Sequence, residues 1–304
     1  MTIAVYGAGA VGSFFGGLLA RGGRDVRFIA RGEQLLALRT TGLRISSLPL
    51  GDIHLPQVSA DQRAGPPPAD VVLVCVKTHQ LAGVLDDLEA LSHPETLFVP
   101  LLNGIEADGV LAKRFGGERV ASVLVYVGAS IETPGVVRHA AGGLLMIGSR
   151  HGMPAERLEA IRTALTVDGF GVKVRSDIEY QLWYKLMWNT AFNGVSALTL
   201  RTSRGLLSVP PTRQLVIDVM REVAAVARAE GVDLTDQHVE QSVTETERIA
   251  PIRTSMLVDR EKGRQLETDA LVGVVVRKGE TRGVPTPATS VLHALLSASQ
   301  PASQ

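Results

Sequence analysis

The segment IAVYGAGAVGSFFGGLLA, residues 3–20, passes from an unbroken apolar run through three glycines into an apolar helical stretch. An apolar run without alternation reads as a strand buried on both faces, as in a parallel sheet covered by helices. Gly7, Gly9 and Gly12 are spaced as G-x-G-x-x-G. The first permits a tight turn, the second lets a pyrophosphate approach the backbone, and the third lets helix and strand pack closely. The turn as a whole, with Ala8, Ala10 and Val11 between the glycines, presents helix N-terminal amides and a positive dipole end to an anion. Strand before and helix after predict a dinucleotide site; the plainer alternative is a βα turn with no ligand.

A second apolar run, VRFIA at 26–30, ends at Arg31, where an NAD site usually carries Asp or Glu. Asp25 stands at the opposite end of that strand and Glu33 lies beyond the arginine. A guanidinium matches a phosphate in bidentate geometry, so Arg31 predicts NADPH, unless it is simply a solvated surface arginine. Further apolar runs, VVLVCV at 71–76 and TLFVPLL at 96–102, end at Lys77 with Thr78 and at Asn103 with Gly104. In a doubly wound sheet these carboxyl ends carry ligand contacts, although a lysine escaping to solvent or a plain turn has the same appearance. VASVLVYVGA at 120–129, then VVRH and LLMIG separated by AAGG, predict more strands with a hairpin, extending the sheet by antiparallel pairing.

After about residue 175 glycine thins out and amphipathic periods take over. Helices are predicted over 177–196, 211–230, 236–249 and 263–283, with a last one from Pro287; GVPTP at 283–287 separates the final two. The expected architecture is α/β: an N-terminal Rossmann-type doubly wound sheet over 1–175, then an all-helical domain over 176–304. AGPPPAD at 64–70 reads as a loop before a strand, and SASQPASQ at 297–304 as a frayed tail.

Composition narrows the function classes. With 31 Lys plus Arg against 31 Asp plus Glu, the 304-residue chain has no net field to draw it to nucleic acid or anionic lipid. Hydrophobic residues at 45% and charged residues at 20% indicate an ordinary globular protein. The single cysteine, Cys75, reads as a buried core thiol, which fits a reducing cytoplasm. No export signal and no stretch long enough to span a membrane is evident. The seven histidines show no metal-ligand spacing, so no metal is expected.

The helical segment EYQLWYKLMWNTAFNGVSAL, residues 179–198, carries Lys185, Asn189 and Asn193 at intervals of four among Trp, Leu, Met and Phe. Residues four apart share a face, so three polar groups line one stripe. Either the lysine snorkels to water beside two asparagines that satisfy backbone, or it is presented to a substrate oxygen. Hydride transfer to a carbonyl leaves negative charge on oxygen, which an ammonium stabilises and protonates, and burial would lower its pKa toward a useful range.

Taken together, GAGAVG, Arg31, VKTHQ, LNG, WYKLMWNTAFN and SML…LETDALVG resemble the ketopantoate reductase (2-dehydropantoate 2-reductase) family, in its order and over nearly the whole chain. The resemblance implies NADPH-dependent reduction of a small 2-oxo acid, 2-ketopantoate, to pantoate on the way to coenzyme A. It implies Lys185 as general acid with Asn189 and Asn193 beside it, and Asn103 in contact with substrate and cofactor. It also implies Ser255 for the substrate carboxylate, Glu267 for the substrate hydroxyl, and Lys77 on the cofactor. A hydroxyl donor suits a carboxylate and a carboxylate acceptor suits a hydroxyl, although a helix cap and a surface glutamate are the ordinary roles of such residues. LLNGIE departs from the HNGMG-like form of the loop around Asn103, which leaves another 2-oxo acid open as substrate. A non-catalytic NADPH sensor is the remaining alternative. A helical second domain burying an apolar face against a twin subunit would make a homodimer.

Overall fold

The computed structural model describes residues 1–62, 65 and 67–300. The chain divides into two compact units, Met1–Ile178 and Glu179–Gln304.

The first unit opens with β1 (Thr2–Tyr6), α1 (Ala10–Arg21), β2 (Asp25–Ile29) and α2 (Gly32–Thr40), followed by the short strands β3 (Leu43–Ser47), β4 (Ile53–Leu55) and β5 (Ser59–Asp61). β6 (Val71–Val74), a 3-10 turn over Thr78–Val84, α3 (Leu85–Ala90), β7 (Leu97–Pro100) and α4 (Ala107–Phe115) come next. β8 (Ser122–Thr133), β9 (Val136–Gly148), α5 (Ala155–Leu165) and β10 (Gly171–Val174) complete it. Strands β5-β2-β1-β6-β7 form one sheet whose pairings are all parallel. The chain moves to one side of β1 first and returns on the other, so the doubly wound order reverses beside β1, where the glycine turn leaves the sheet. Alternate residues feed two cores: Ile3, Val5, Leu73 and Val99 one of them, Ala4, Tyr6, Val72 and Phe98 the other.

The expected antiparallel extension of that sheet is corrected. β8 and β9 form a long antiparallel pair in a second sheet with β3, β4 and β10, and the chain just before β8 makes an isolated parallel bridge to the first sheet, Phe98 to Val120. The hairpin turn lies between β8 and β9, and AAGG is no turn at all. Those residues sit inside β9, where the register against β8 shifts twice, and Gly142 and Gly143 take φ of 85° and 110°. A glycine pair accommodates a bulge as readily as a turn, which is why the local sequence misled.

Helix α1 lies between the two sheets, and its glycine pair explains how. A methyl on Gly16 would meet Phe28 at 2.6 Å and Val5 at 2.8 Å in the first sheet, whereas one on Gly17 would meet Ile45 and Leu43 in the second, each at 2.8 Å. Cys75 is only partly buried, although its surroundings push the thiol well above its ordinary range.

The second unit is helical: α6 (Ile178–Thr199), α7 (Ser203–Leu207), α8 (Pro210–Ala229), α9 (Asp236–Arg248), α10 (Ser255–Glu261), α11 (Val274–Arg282) and α12 (Pro287–Ala298). The helix expected over 263–283 begins late. Residues 264–267 are not helical, and a π-helical stretch, Asp269–Gly273, precedes α11. Thr190 of α6 donates to the Leu271 carbonyl at 2.6 Å, satisfying an acceptor within the widened turn. α7 and α10 are short helices not foreseen from the periodicity. The expected frayed tail is ordered at its start: Ser297 and Ala298 close α12, and Ser299 and Gln300 are hydrogen-bonded, while residues 301–304 lie outside those described. Residues 64 and 66 of the expected AGPPPAD loop also lie outside. Among the described residues no helix is long and apolar enough to cross a membrane.

Phe28 and Val5 are fully buried and have no room to retreat from a methyl on Gly16. Gly16→Ala is therefore expected to lower stability by about 1–3 kcal/mol despite its better helix propensity, read as a reduced midpoint in chemical denaturation. An unchanged or raised midpoint would show that the two sheets close around α1 with slack.

Candidate functional site

In the first unit the glycine turn is tied to the end of β2: the Gly7 and Ala8 amides donate to the Ile29 carbonyl at 3.1 and 3.3 Å. Gly7 has φ of 98°, and a Cβ there would press on the Cys75 carbonyl at 2.8 Å. A Cβ on Gly12 would stand 2.2 Å from the Gly7 carbonyl oxygen, so this glycine lets the helix sit on the turn. Gly9 differs, since its Cβ would meet nothing within 4 Å. It is the N-cap of α1, with no side chain capping the helix, and Ser13 makes the first helical bond back to Gly9 at 2.8 Å. The amides of Ala10, Val11 and Gly12 therefore have no acceptor within the helix. Open space in front of uncapped amides at a helix N-terminus is the cradle that a pyrophosphate fits.

Arg31 follows β2 as the N-cap of α2 and is 72% exposed in its side chain. Its Nη2 lies 3.4 Å from the Tyr6 hydroxyl and 3.5 Å from Asp87 Oδ2, and the Tyr6 hydroxyl donates to the same carboxylate. Burial and Asp87 together push the Tyr6 phenol up to about 12, so it stays protonated as a donor. Tyr6 and Asp87 give the guanidinium a fixed edge that the sequence did not reveal, because Asp87 belongs to a helix far from Arg31 in the chain. The 3-10 turn after β6 starts at Lys77, whose amide donates to Gln80 at 3.2 Å. Thr78 donates to the Asn103 carbonyl at 3.4 Å, which brings the ends of the adjacent strands β6 and β7 together. Arg150 holds the following loop through the Ile105 carbonyl at 2.8 Å and Asp108 at 3.1 Å. Asp108 is buried, yet His151, Arg150 and Ser122 outweigh the burial and keep its carboxyl below the usual range.

In the second unit the α6 stripe leads into a connected polar network. Asn189 and Asn193 are 6% and 2% exposed, and Asn193 Nδ2 donates to Asn189 Oδ1 at 3.1 Å. Asn193 Oδ1 accepts from the Ser255 hydroxyl and the Met256 amide, each at 3.2 Å, which fixes the first turn of α10 to α6. The cap of α10 is Thr254, whose hydroxyl accepts from the Leu257 amide, so Ser255 is left at the first helical position rather than serving as the cap. Glu267 is 4% exposed, buried rather than a surface residue, in the non-helical stretch before the π turn. Burial pulls the Lys185 ammonium down to about 8, and the Glu267 carboxylate opposes that shift. Lys185 and Glu267, far apart in sequence, thus share one electrostatic environment with the Asn–Asn–Ser chain alongside. Among the described residues no group of three or more His, Cys, Asp or Glu is arranged to hold a metal ion.

A doubly wound unit with a dinucleotide cradle, followed by a helical unit with a lysine of lowered pKa, is the build of a two-domain oxidoreductase of Rossmann type. Residues 3–152 match the family described as ketopantoate reductase PanE/ApbA, and residues 177–300 match its C-terminal domain. A 2-dehydropantoate 2-reductase of Mesorhizobium japonicum is 31% identical, with 97% of each chain covered. Among solved structures, the 2-dehydropantoate 2-reductase of Geobacter metallireducens superposes with a TM-score of 0.92 at 31% identity, covering 98% of this chain and 99% of that one. A D-mandelate dehydrogenase solved with NADH and anilino(oxo)acetate gives 0.89 at 25% identity, covering 98% of each. The chain belongs to the ketopantoate reductase family.

The second and third glycines of the cradle make contrasting predictions. Gly9→Ala places its methyl in open space, with φ of −72° that any residue adopts, and should leave the denaturation midpoint of the ligand-free protein unchanged while weakening dinucleotide binding at least tenfold. Gly12→Ala should lower the midpoint itself. Equal dinucleotide affinity in Gly9→Ala and the unaltered protein, by fluorescence titration, would contradict the cradle.

Proposed function

We propose that the protein reduces 2-ketopantoate to pantoate with NADPH, a step toward pantothenate and coenzyme A, with Lys185 as general acid. The observation that carries this reading is the placement of Lys185 on the same helix stripe as the buried Asn189 and Asn193, near enough to the buried Glu267 for that carboxylate to oppose the burial that draws the ammonium down to about 8. Family membership and the names of its relatives support the substrate.

When bound, the reduced nicotinamide supplies a hydride to the keto carbon. Gly7, Ala8, Gly9, Ala10, Val11 and Gly12 hold the pyrophosphate, Arg31 meets the 2′-phosphate, and Lys77 and Asn103 contact the cofactor from the ends of β6 and β7. As the carbonyl becomes an alkoxide, Lys185 gives its proton to that oxygen and is then reprotonated from solvent. The ammonium is easier to deprotonate than an ordinary lysine, so proton donation is nearly matched to neutral pH. The Ser255 hydroxyl, which donates to Asn193 without substrate, turns to donate to the substrate carboxylate, and the Glu267 carboxylate accepts from the substrate hydroxyl. Asn189 and Asn193 keep the stripe in register through their shared hydrogen bond.

Four outcomes test the reading. Lys185→Ala should lower kcat by roughly 100- to 10,000-fold with little change in NADPH affinity, the behaviour of a group that acts in the transition state; normal turnover would contradict it. In the unaltered protein, reduction needs the protonated ammonium, so kcat should be flat below the Lys185 pKa and fall as pH rises through about 8, whereas oxidation of pantoate should rise over the same interval. A profile flat to pH 10 or beyond would remove Lys185 from the role. Arg31→Ala should weaken NADPH by roughly 10- to 100-fold while NADH changes little, as expected for loss of a charge-assisted phosphate contact; equal losses for both would refute the preference. A panel of 2-oxo acids that includes aryl glyoxylates, run with both nicotinamides, separates ketopantoate reduction from reduction of another 2-oxo acid, and absence of any turnover would leave only a sensor.

A further inference from the structure

Gln300 reaches back to both neighbours of Glu267, to the Leu266 backbone and to the Thr268 hydroxyl. Gln300 Oε1 accepts from the Leu266 amide at 3.0 Å, while its Nε2 donates to the Leu266 carbonyl at 3.2 Å and to Thr268 Oγ1 at 2.8 Å. The three bonds agree on one orientation of the amide, since turning it over would set donor against donor. Gln300 is itself held in place. Ser299 closes α12 through the Leu295 carbonyl at 3.1 Å, and its own carbonyl accepts from Arg260. Arg260 lies on α10, the helix that begins with Ser255, and also donates to the Ala197 carbonyl at the end of α6 at 3.3 Å.

On the other side of Glu267, its carbonyl accepts from the Leu271 amide at 3.2 Å, and the Leu271 carbonyl is taken by Thr190. Residues 264–267 belong to no helix, so nothing in their own secondary structure fixes the Glu267 side chain. Holding the residues on either side of a buried carboxylate helps to set its direction, and here Leu266 and Thr268 are both held by Gln300.

We propose that Gln300 is a positioning residue: it clamps Leu266 and Thr268 so that the Glu267 carboxylate is directed at the substrate hydroxyl. This rests on the reading of Glu267 as the acceptor of that hydroxyl. Gln300 is not assigned a contact with the substrate; it acts through the Leu266 backbone and the Thr268 hydroxyl on either side of Glu267.

The test compares ketopantoate with trimethylpyruvate, which lacks only the terminal hydroxyl, in Gln300→Ala, in Gln300→Met, which keeps the length without the hydrogen bonds, in Glu267→Ala and in the Gln300→Ala/Glu267→Ala double variant. Both Gln300 variants are expected to raise the KM for ketopantoate about tenfold, with the Ki of trimethylpyruvate and the affinity for NADPH unchanged. The double variant is expected to bind ketopantoate no worse than Glu267→Ala alone, because the clamp has nothing left to direct. A merely structural glutamine would affect both oxo acids alike, and its loss would add to that of Glu267. Either result, or an unaltered KM in Gln300→Ala and Gln300→Met, overturns the proposal. If Glu267→Ala fails to distinguish the two oxo acids, the reading of Glu267 falls first and takes the clamp with it, an outcome visible without any Gln300 variant.

Discussion

A lysine ammonium partly withdrawn from water, opposed by a buried carboxylate, is the constraint around which the helical unit is arranged. Desolvation alone would favour loss of the Lys185 proton, and Glu267 restrains that loss, leaving a group balanced near neutrality. Such a balance exists only while both side chains keep their places, and the helical unit ties together the segments that carry them. α6 carries the lysine with two buried asparagines a turn and two turns further on. Asn193 ties α6 to α10, Thr190 ties it to the widened π turn, and the stretch bearing Glu267 is gripped from the chain end. The rule broken locally, a π turn where a regular helix would be cheaper, coincides with the place where the carboxylate is delivered.

The first unit solves a different problem, the approach of backbone to an anion. Its glycines divide the labour. Gly12, Gly16 and Gly17 remove side chains so that α1 can sit against its own turn and between two sheets, and Gly9 leaves space that no protein atom fills. The same helix therefore packs along its body and leaves open space at its N-terminus, and Arg31 lies at the neighbouring strand end beside Tyr6 and Asp87.

Much of this was legible in the sequence where the signal is local. Strand, glycine turn and helix over residues 3–20 read directly, because each glycine answers to a neighbour within a few residues or to the adjacent strand. The long helix with Lys185, Asn189 and Asn193 read directly from its spacing. Legibility failed where the structure depends on distant partners. β3 and β4 are too short to show a period, and their sheet is defined by pairing with β9 much later in the chain, whereas the equally short β5 joins the parallel sheet beside β2. The glycines of AAGG have the local chemistry of a turn and were used for a bulge. The start of the helix after residue 263 was misplaced because a π turn satisfied by Thr190 leaves no mark in the intervening residues. Asp87 beside Arg31 and Gln300 beside Glu267 were invisible for the same reason, whereas Glu267 itself was singled out only through the family resemblance.

The account depends on the ionisation of one side chain, and that is measurable without any turnover. An NMR titration of Lys185, assigned by its disappearance in Lys185→Arg, should show a midpoint near 8. A midpoint at the ordinary lysine value of 10.5 would mean that the ammonium is not brought near neutrality, which would contradict the account at its centre.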